Sequence, residues 1–101
     1  MNIYQIADVL HKAVIKREQL TPFTQQDIQL SNSDAYKVSQ RLCELRQWKV
    51  VGRKIGFTNR SIWPIYGVGQ PIWGSMSADS ISYAKDGKSS IRLSDYCEPS
   101  Y

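Results

Sequence analysis

The stretch KVVGRKIGFTNRS, residues 49–61, is where the hydrophobic pattern of this chain changes from a helical to an extended period. Its β-branched residues alternate with glycine and basic residues, which predicts a strand. One face of this strand would carry most of the larger side chains: Val51, Arg53, Ile55 and Phe57. The opposite face would carry both glycines and a lysine: Val50, Gly52, Lys54, Gly56 and Thr58.

Upstream of this strand, the spacing of apolar residues predicts two amphipathic helices. The first covers residues 3–17 and ends at Thr21-Pro22, and a polar connection with room for one short helical turn follows. The second begins at Ser31 or Ser33, because Ser31-x-x-Asp34 has the spacing of a capping box, and it ends near Trp48. The predicted apolar stripes are Ile3, Ile6, Leu10, Ala13 and Val14 in the first helix, and Ala35, Val38, Leu42 and Leu45 in the second.

Downstream of the strand, glycine, proline and aromatic residues in 59–80 predict loops with a turn of helix near Ile62. The segments SISYA (80–84) and SSIRLSDY (89–96) predict short strands joined by a hairpin turn at Lys85-Asp86-Gly87. We therefore predict an α+β fold, with two N-terminal helices followed by short strands, in a single domain over residues 1–101.

The charge is distributed unevenly along the chain, whose formal net charge is +4. No acidic residue occurs between Glu44 and Asp79, whereas five basic residues lie there: Arg46, Lys49, Arg53, Lys54 and Arg60. This region could receive a small organic anion. Nucleic acid is a less favoured partner because the chain has no block of five or six consecutive basic residues.

Cysteine usage and hydropathy favour a cytoplasmic protein. Cys43 and Cys97 fit neither a CxxC pair nor a disulfide framework, so free thiols in a reducing compartment are expected. Charged residues interrupt the first twenty positions, and no apolar run approaches the roughly 18 residues that a membrane span needs. We expect no membrane association.

Several single residues have both a structural and a functional interpretation. His11 has no ligating partner at metal spacing and is expected to be a surface or packing residue. The aromatic residues of the second half could stack on bases, although large aromatics in a small domain more often belong to the core, and we predict core positions for them. These aromatics are Trp48, Trp63, Tyr66 and Trp73.

Lys54 is the candidate binding cation. Its same-face neighbours Gly52 and Gly56 have no side chains, which leaves open space on the strand around the lysine amine. A carboxylate or carbonyl of a ligand could approach the amine through this space. The alternative is a solvent-facing lysine on an edge strand weakened by glycine. Nucleotide binding is disfavoured, because neither Gly67-Val68-Gly69 nor residues 52–54 complete a phosphate-binding glycine motif.

Residues 50–79, VVGRKIGFTNRSIWPIYGVGQPIWGSMSAD, resemble the 2-oxopent-4-enoate hydratase and oxalocrotonate decarboxylase branch of the fumarylacetoacetate hydrolase superfamily. The resemblance is carried by the G[RK]K[IV]G[FL]T segment, the GV-x-xP-[ID]-[WF]-G segment and the following Ala-Asp, in that order. The upstream DAYKVSQRL, residues 34–42, looks like the helix that precedes these segments in the family.

The resemblance implies a cytoplasmic lyase of aromatic meta-cleavage pathways that adds water to a 2-oxo-alkenoic acid or, in the sister branch, decarboxylates it, with Mg²⁺ or Mn²⁺. It implies that this chain corresponds to the N-terminal part of a fumarylacetoacetate hydrolase-like fold. Lys54 would be the catalytic residue of the site, and Gly52, Gly56 and Thr58 would bind the substrate.

The sequence departs from the family at its C-terminal end, where Glu98-Pro99 resembles the start of the metal-binding segment. We expect a chain truncated before the metal-binding carboxylates, which binds no metal and is inactive alone. Expected partners are a second copy, in a homo-oligomer, or the missing C-terminal half. The alternative function is a small basic module that binds nucleic acid or an acidic protein.

Overall fold

The computed structural model of this chain describes residues 1–96, which contain three α-helices and one two-stranded antiparallel sheet. The α+β prediction is therefore confirmed. The elements are α1 (Ile3–Lys16), α2 (Asn32–Leu45), β1 (Val50–Gly56), α3 (Trp63–Tyr66) and β2 (Ile72–Ser77).

The chain divides into two compact units. The helix unit contains Met1–Trp48 and the described residues from Ser82 onward, and the sheet unit is Lys49–Ile81. Among residues 1–96, no helix combines the length and the apolar character that crossing a membrane requires.

Helix α1 has a defined cap at each end. Asn2 and Gln5 form a capping box, in which each side chain accepts a hydrogen bond of 2.9 Å from the other residue's backbone N–H. At the C-terminal end Arg17 adopts a left-handed conformation, with φ 56°, and its N–H donates to the carbonyl of Val14 at 3.2 Å. The predicted helix over residues 3–17 is thus confirmed to within one residue. Its stop signal is the left-handed Arg17 and not Thr21-Pro22, so the role predicted for the proline is wrong.

Helix α2 begins where its capping signal predicts. The N–H of Asp34 donates to the Ser31 hydroxyl at 3.1 Å, so Ser31 is the N-cap. The helix ends at Leu45, earlier than the predicted end near Trp48. The Trp48 N–H still reaches back to the Cys43 carbonyl at 3.0 Å, which keeps the residues after the helix close to its last turn.

The core of the helix unit lies between α1 and α2, where Ile6, Ala7 and Val38 are buried. Half-buried side chains from both helices and the connection between them pack around these three: Ile3, Leu10, Phe23, Ile28, Leu30 and Leu45. The predicted stripes are confirmed at most positions, but Val14 and Ala35 are exposed. Both lie on the margins of their stripes, where the neighbouring helix does not cover them.

The sheet contains an irregularity that changes one predicted face. Val50 pairs with Ser77, and Gly52 pairs with the adjacent Met76, so β1 has one more residue than β2 between these pairs. Paired residues share a face, and consecutive residues of β2 point to opposite faces. Val50 therefore lies on the Arg53 face, and its predicted place on the lysine side is wrong.

Strand β2 lies in a segment for which the sequence predicts loops. The predicted helical turn is confirmed by Arg60–Ile62 and α3, but the strand Ile72–Ser77 is not predicted. Its sequence, IWGSMS, has one glycine and two serines, which give it a weak strand signal. Hydrogen bonding to β1 stabilises the extended conformation of this segment, which its own sequence specifies only weakly.

The C-terminal hairpin is confirmed only at its turn. Lys85 and Lys88 exchange two backbone hydrogen bonds, of 2.8 and 2.9 Å, around Asp86 and Gly87. Both central residues have positive φ, 53° and 72°, as a type I′ turn requires. The two predicted strands are wrong, since the pairing within the described residues stops at a single bridge.

We predict that the isolated chain melts below about 60 °C. Only four apolar side chains among residues 1–96 are buried, and all four belong to the helix unit: Ile6, Ala7, Ala13 and Val38. The sheet unit relies on two strands, which are marginal without further packing. Circular dichroism of a verified monomer checks this, and a cooperative transition above that temperature would contradict it.

Candidate functional site

One face of the sheet brings together three of the four predicted site residues. Gly52, Lys54 and Gly56 follow one another on this face of β1, and their partners on β2 share it. We call this surface the lysine face: Gly52, Lys54 and Gly56 with Met76, Gly74 and Ile72 opposite them.

The lysine face has little side-chain bulk around Lys54. Among the described residues, a Cβ added at Gly52 would meet no atom within 4 Å, and one added at Gly56 would meet only the Ile72 Cγ1, at 3.9 Å. Opposite Lys54, a Cβ added at Gly74 would lie 3.4 Å from the lysine Cε and 3.8 Å from its Cγ. The lysine stem therefore passes over Gly74.

Gly74 is the residue that reasoning from β1 alone misses. Two glycines of β1 are predicted to leave space around the Lys54 amine, and a third glycine, on the neighbouring strand, adds to that space. The only sequence signal for it is the glycine that ends the PIWG segment, residues 71–74, of the quoted motif. Its role depends on strand register, which the sequence of β2 does not specify.

Lys54 is exposed and has no ion-pair partner among residues 1–96. The ion pairs of the described chain lie in the helix unit: Asp8–Lys12, Arg17–Asp95, Asp34–Lys37 and Arg41–Glu44. The sheet unit has four basic side chains and one carboxylate, Asp79, a formal net charge of +3. An anion approaching the lysine face would therefore meet an uncompensated positive charge.

On the opposite face of β1, the basic residue Arg53 contacts an aromatic ring. The Arg53 guanidinium lies 4.6 Å from the centroid of the Trp73 ring, in a cation–π contact between the two strands. The predicted packing role of Arg53 on this face is confirmed. Arg53 and Lys54 are neighbours in sequence, yet within residues 1–96 an aromatic ring contacts only the Arg53 cation.

Thr58, the fourth predicted site residue, lies beyond the end of β1. Phe57 has φ 57°, a left-handed conformation that is costly for a bulky residue, and it ends the strand's alternation. The Trp63 indole N–H donates to the Phe57 carbonyl at 2.9 Å, and the Tyr66 ring packs edge-on to the Phe57 ring at 5.4 Å. Strand alternation therefore does not place Thr58 or Phe57 on the predicted faces.

The tryptophans are not core residues, contrary to the prediction. Trp48 and Trp63 are half-buried, and Trp73 is 40% exposed. Tyr66, predicted to be a core residue with them, is 67% exposed. Each tryptophan ring has a guanidinium over it: Arg46 over Trp48 at 4.6 Å, Arg60 over Trp63 at 5.5 Å, and Arg53 over Trp73 at 4.6 Å. Pairing with arginine allows these large rings to remain near the surface. Each guanidinium also covers one face of its tryptophan ring, so a nucleic-acid base cannot stack on that face.

Two other predictions concern single side chains of the helix unit. His11 is half-buried in α1, and its Nδ1 is enclosed without a hydrogen-bond partner among residues 1–96, which agrees with a packing role. Cys43 has a free thiol, as predicted. Cys97 and Glu98 lie outside the described residues.

The described residues do not offer a site for Mg²⁺ or Mn²⁺. Within 1–96, no three His, Cys, Asp or Glu side chains come close enough to hold a metal ion. Hard cations need several converging oxygen ligands. The donor set of this part of the chain therefore does not fit the metal that the resemblance implies.

A pocket lies beside the C-terminal end of α1, within the helix unit. Leu10, Val14 and Tyr96 are among its lining residues, and the Arg17–Asp95 ion pair, at 3.3 Å, lies at it. Its cation is thus already paired with a carboxylate. The lysine face remains the better candidate for binding an anion.

The chain is similar to two curated hydratases. It is 36% identical over 84 residues to a 2-hydroxypent-2,4-dienoate hydratase of Pseudomonas putida, covering 80% of this chain and 37% of the relative. It is 28% identical over 93 residues to a 2-hydroxyhexa-2,4-dienoate hydratase of Comamonas testosteroni, covering 89% of this chain and 35% of the relative. No protein-family model and no solved structure matches the chain.

These relatives confirm the resemblance to hydratases. The chain spans about a third of the length of the curated relatives that it matches. The similarity extends over both units, because the aligned residues make up 80% or more of the chain.

Proposed function

We propose that this chain is a hydratase-like polypeptide whose lysine face binds the anionic part of a 2-oxo-alkenoic acid. The observation that carries the proposal is Lys54, which lies among three glycines and has no ion-pair partner within residues 1–96. The chain is 36% identical to a dienoate hydratase over 80% of its own length. We further propose that its fold corresponds to the N-terminal part of a fumarylacetoacetate hydrolase-like fold and that it acts in the cytoplasm, in aromatic catabolism.

The chemistry of the substrate class suits a lysine. A 2-hydroxy-2,4-dienoate is the enol form of a 2-oxo-4-enoate, so binding must accommodate a carboxylate and an oxygen that gains negative charge on enolisation. The Lys54 ammonium offers three N–H donors and a full positive charge to these oxygens. Gly52 and Gly56 leave room for the ligand on the same strand, and Gly74 leaves room on the next.

Neither Thr58 nor a metal ion is part of the lysine face in this proposal. Thr58 would contribute its hydroxyl from the turn after β1, adjacent to the lysine face and not part of it. Any Mg²⁺ or Mn²⁺ of the longer hydratases would be held by residues outside 1–96, and no step assigned to Lys54 runs through it. Oligomerisation, or association with the remaining part of a hydratase, would cover the exposed faces of the sheet.

A segment exchange tests the proposal. The aligned residues of the full-length Pseudomonas putida hydratase are replaced by residues 49–81 of this chain, and hydration of 2-hydroxypent-2,4-dienoate is measured. We expect the folded chimera to keep measurable turnover that is lost on Lys54→Ala. A chimera that folds and retains turnover without Lys54 would overturn the role of the lysine face, and a folded chimera with no turnover would overturn the proposal.

We predict that the isolated chain does not hydrate 2-hydroxypent-2,4-dienoate above the buffer rate, with or without Mg²⁺ or Mn²⁺. An exposed ammonium is screened by water, and charge stabilisation in catalysis needs a site from which water is excluded. Loss of the conjugated dienoate's ultraviolet absorbance is followed, with the full-length relative as the positive control. Turnover by a mass-verified sample would contradict the prediction.

A second candidate function is binding through the basic sheet unit, which has a formal net charge of +3. Nucleic acid is the weaker ligand for it. Arg53 and Lys54 point to opposite faces of β1, so they do not form one track along a phosphate backbone. The guanidiniums over the tryptophans also occupy surfaces on which bases would stack.

A further inference from the structure

The two-stranded sheet leaves each strand with an edge that no described strand covers. β1 pairs only with β2 within residues 1–96, so the other side of β1 presents unpaired backbone groups. Both faces of the sheet also expose apolar side chains, with Ile55 71% and Ile72 57% exposed. Such an edge is a template for one more strand.

The charges of β1 restrict which strand can pair with it. Arg53 and Lys54 are adjacent, so β1 carries one cation on each face of the sheet. Both side chains lean over β2, on Trp73 and Gly74, and would turn toward a strand added beside β1. The described sheet unit offers neither of them an ion pair. Basic residues on an edge strand oppose pairing with an identical edge, because like charges would lie side by side.

A second copy of this chain is therefore a poor occupant of the edge. In an antiparallel pairing of two β1 strands about their central residue, the two Arg53 side chains would lie directly opposite each other. The two Lys54 side chains would be diagonal neighbours on the other face. An acidic strand replaces this repulsion with attraction on both faces. Charge complementarity thus selects an acidic polypeptide over a second copy.

We propose that the free edge of β1 binds an acidic, strand-forming segment of another polypeptide. The segment has two consecutive acidic residues, one beside Lys54 and the other beside Arg53, because neighbouring residues of a strand point to opposite faces. β-branched residues flank the acidic pair, and one of them packs against the exposed Ile55. This interaction does not depend on the hydratase proposal.

The test uses the full chain and a decapeptide with two central glutamates flanked by alternating valine and threonine. Two control peptides are matched to it: one has lysines in place of the glutamates, and one keeps the glutamates but has prolines in place of the valines, so that it cannot form a strand. Binding is measured by calorimetry and by amide hydrogen exchange. We expect the acidic strand peptide to bind at least tenfold more tightly than either control and to protect amides of β1.

Variants locate the interaction on β1. The double variant Arg53→Gln/Lys54→Gln should weaken peptide binding at least tenfold, and Lys54→Gln, which keeps the Arg53–Trp73 contact, should weaken it severalfold. The double variant Lys16→Gln/Lys88→Gln changes the net charge equally from exposed positions of the helix unit and should bind normally. Circular dichroism spectra establish that each variant retains the native fold.

Four outcomes would overturn the proposal. The first is equal binding of the proline peptide, which would mean attraction without strand pairing, and the second is normal binding by the β1 double variant. The third is sedimentation that shows a dimer formed through β1 in place of peptide binding. The fourth is tighter binding of a single-stranded oligonucleotide of ten nucleotides, which would assign the basic surface to nucleic acid.

Discussion

Replacing the lysine that matches Lys54 with alanine, in a full-length hydratase that carries the segment GRKIG (residues 52–56 here), will lower kcat/KM at least about a hundredfold. Changing the residue that matches Arg53 to alanine will lower it less than about fivefold, because that side chain stacks on Trp73 on the other face. A cation aimed at a developing oxyanion in a water-poor site contributes several kcal/mol, whereas a stacked surface arginine supports local packing only.

Steady-state kinetics and thermal melts of both variants test this expectation. Arg53→Ala is the matched control, since it removes an adjacent cation of the same strand. If Lys54→Ala keeps normal turnover, or loses it only through unfolding, Lys54 is a solvent-facing charge on an edge strand.

The glycines of the lysine face extend the same test. Gly52→Val and Gly56→Val should raise KM, because the valine side chain would occupy the space beside the lysine amine where the ligand binds. The fold should be retained. Gly74→Val should have an additional effect, because its Cβ would already be in van der Waals contact with the Lys54 Cε, at 3.4 Å, and its two methyl groups would crowd the lysine stem. Unchanged kinetics in all three valine variants would mean that no ligand occupies this face.

In this chain, Ile6→Ala will lower the free energy of unfolding of the helix unit by about 2–5 kcal/mol. Ile6 is 1% exposed and lies in the core between α1 and α2, so its truncation leaves a cavity as well as removing buried apolar surface. Ile15→Ala is the control in the same helix: Ile15 is 67% exposed, and we expect a loss below about 1 kcal/mol.

Urea denaturation followed by far-ultraviolet circular dichroism measures both changes. A small unit with few buried side chains has little reserve, so Ile6→Ala is expected to be largely unfolded at 37 °C. Equal destabilisation by the two substitutions would mean that the α1–α2 core does not hold the helix unit together.

Local signals in the sequence determined the helices and one turn. Ser31 and Asp34 fix the start of α2, because the hydroxyl satisfies a backbone N–H within the same turn. Asp86-Gly87 forms a type I′ turn, since both residues tolerate positive φ. The alternation in residues 52–56 likewise placed Lys54 between two glycines on one face. Each of these features depends on residues at most four positions apart.

Tertiary structure alone decided the features that depend on pairing across the chain. The register of β2 against β1 moved Val50 to the other face and brought Gly74 under Lys54, and neither change is encoded in local periodicity. The left-handed Phe57 ended the strand before Thr58, held by a hydrogen bond from Trp63 six residues later. The sequence of one strand specifies which of its side chains share a face. The residues that lie opposite them depend on the register with the partner strand, which is a property of the pair.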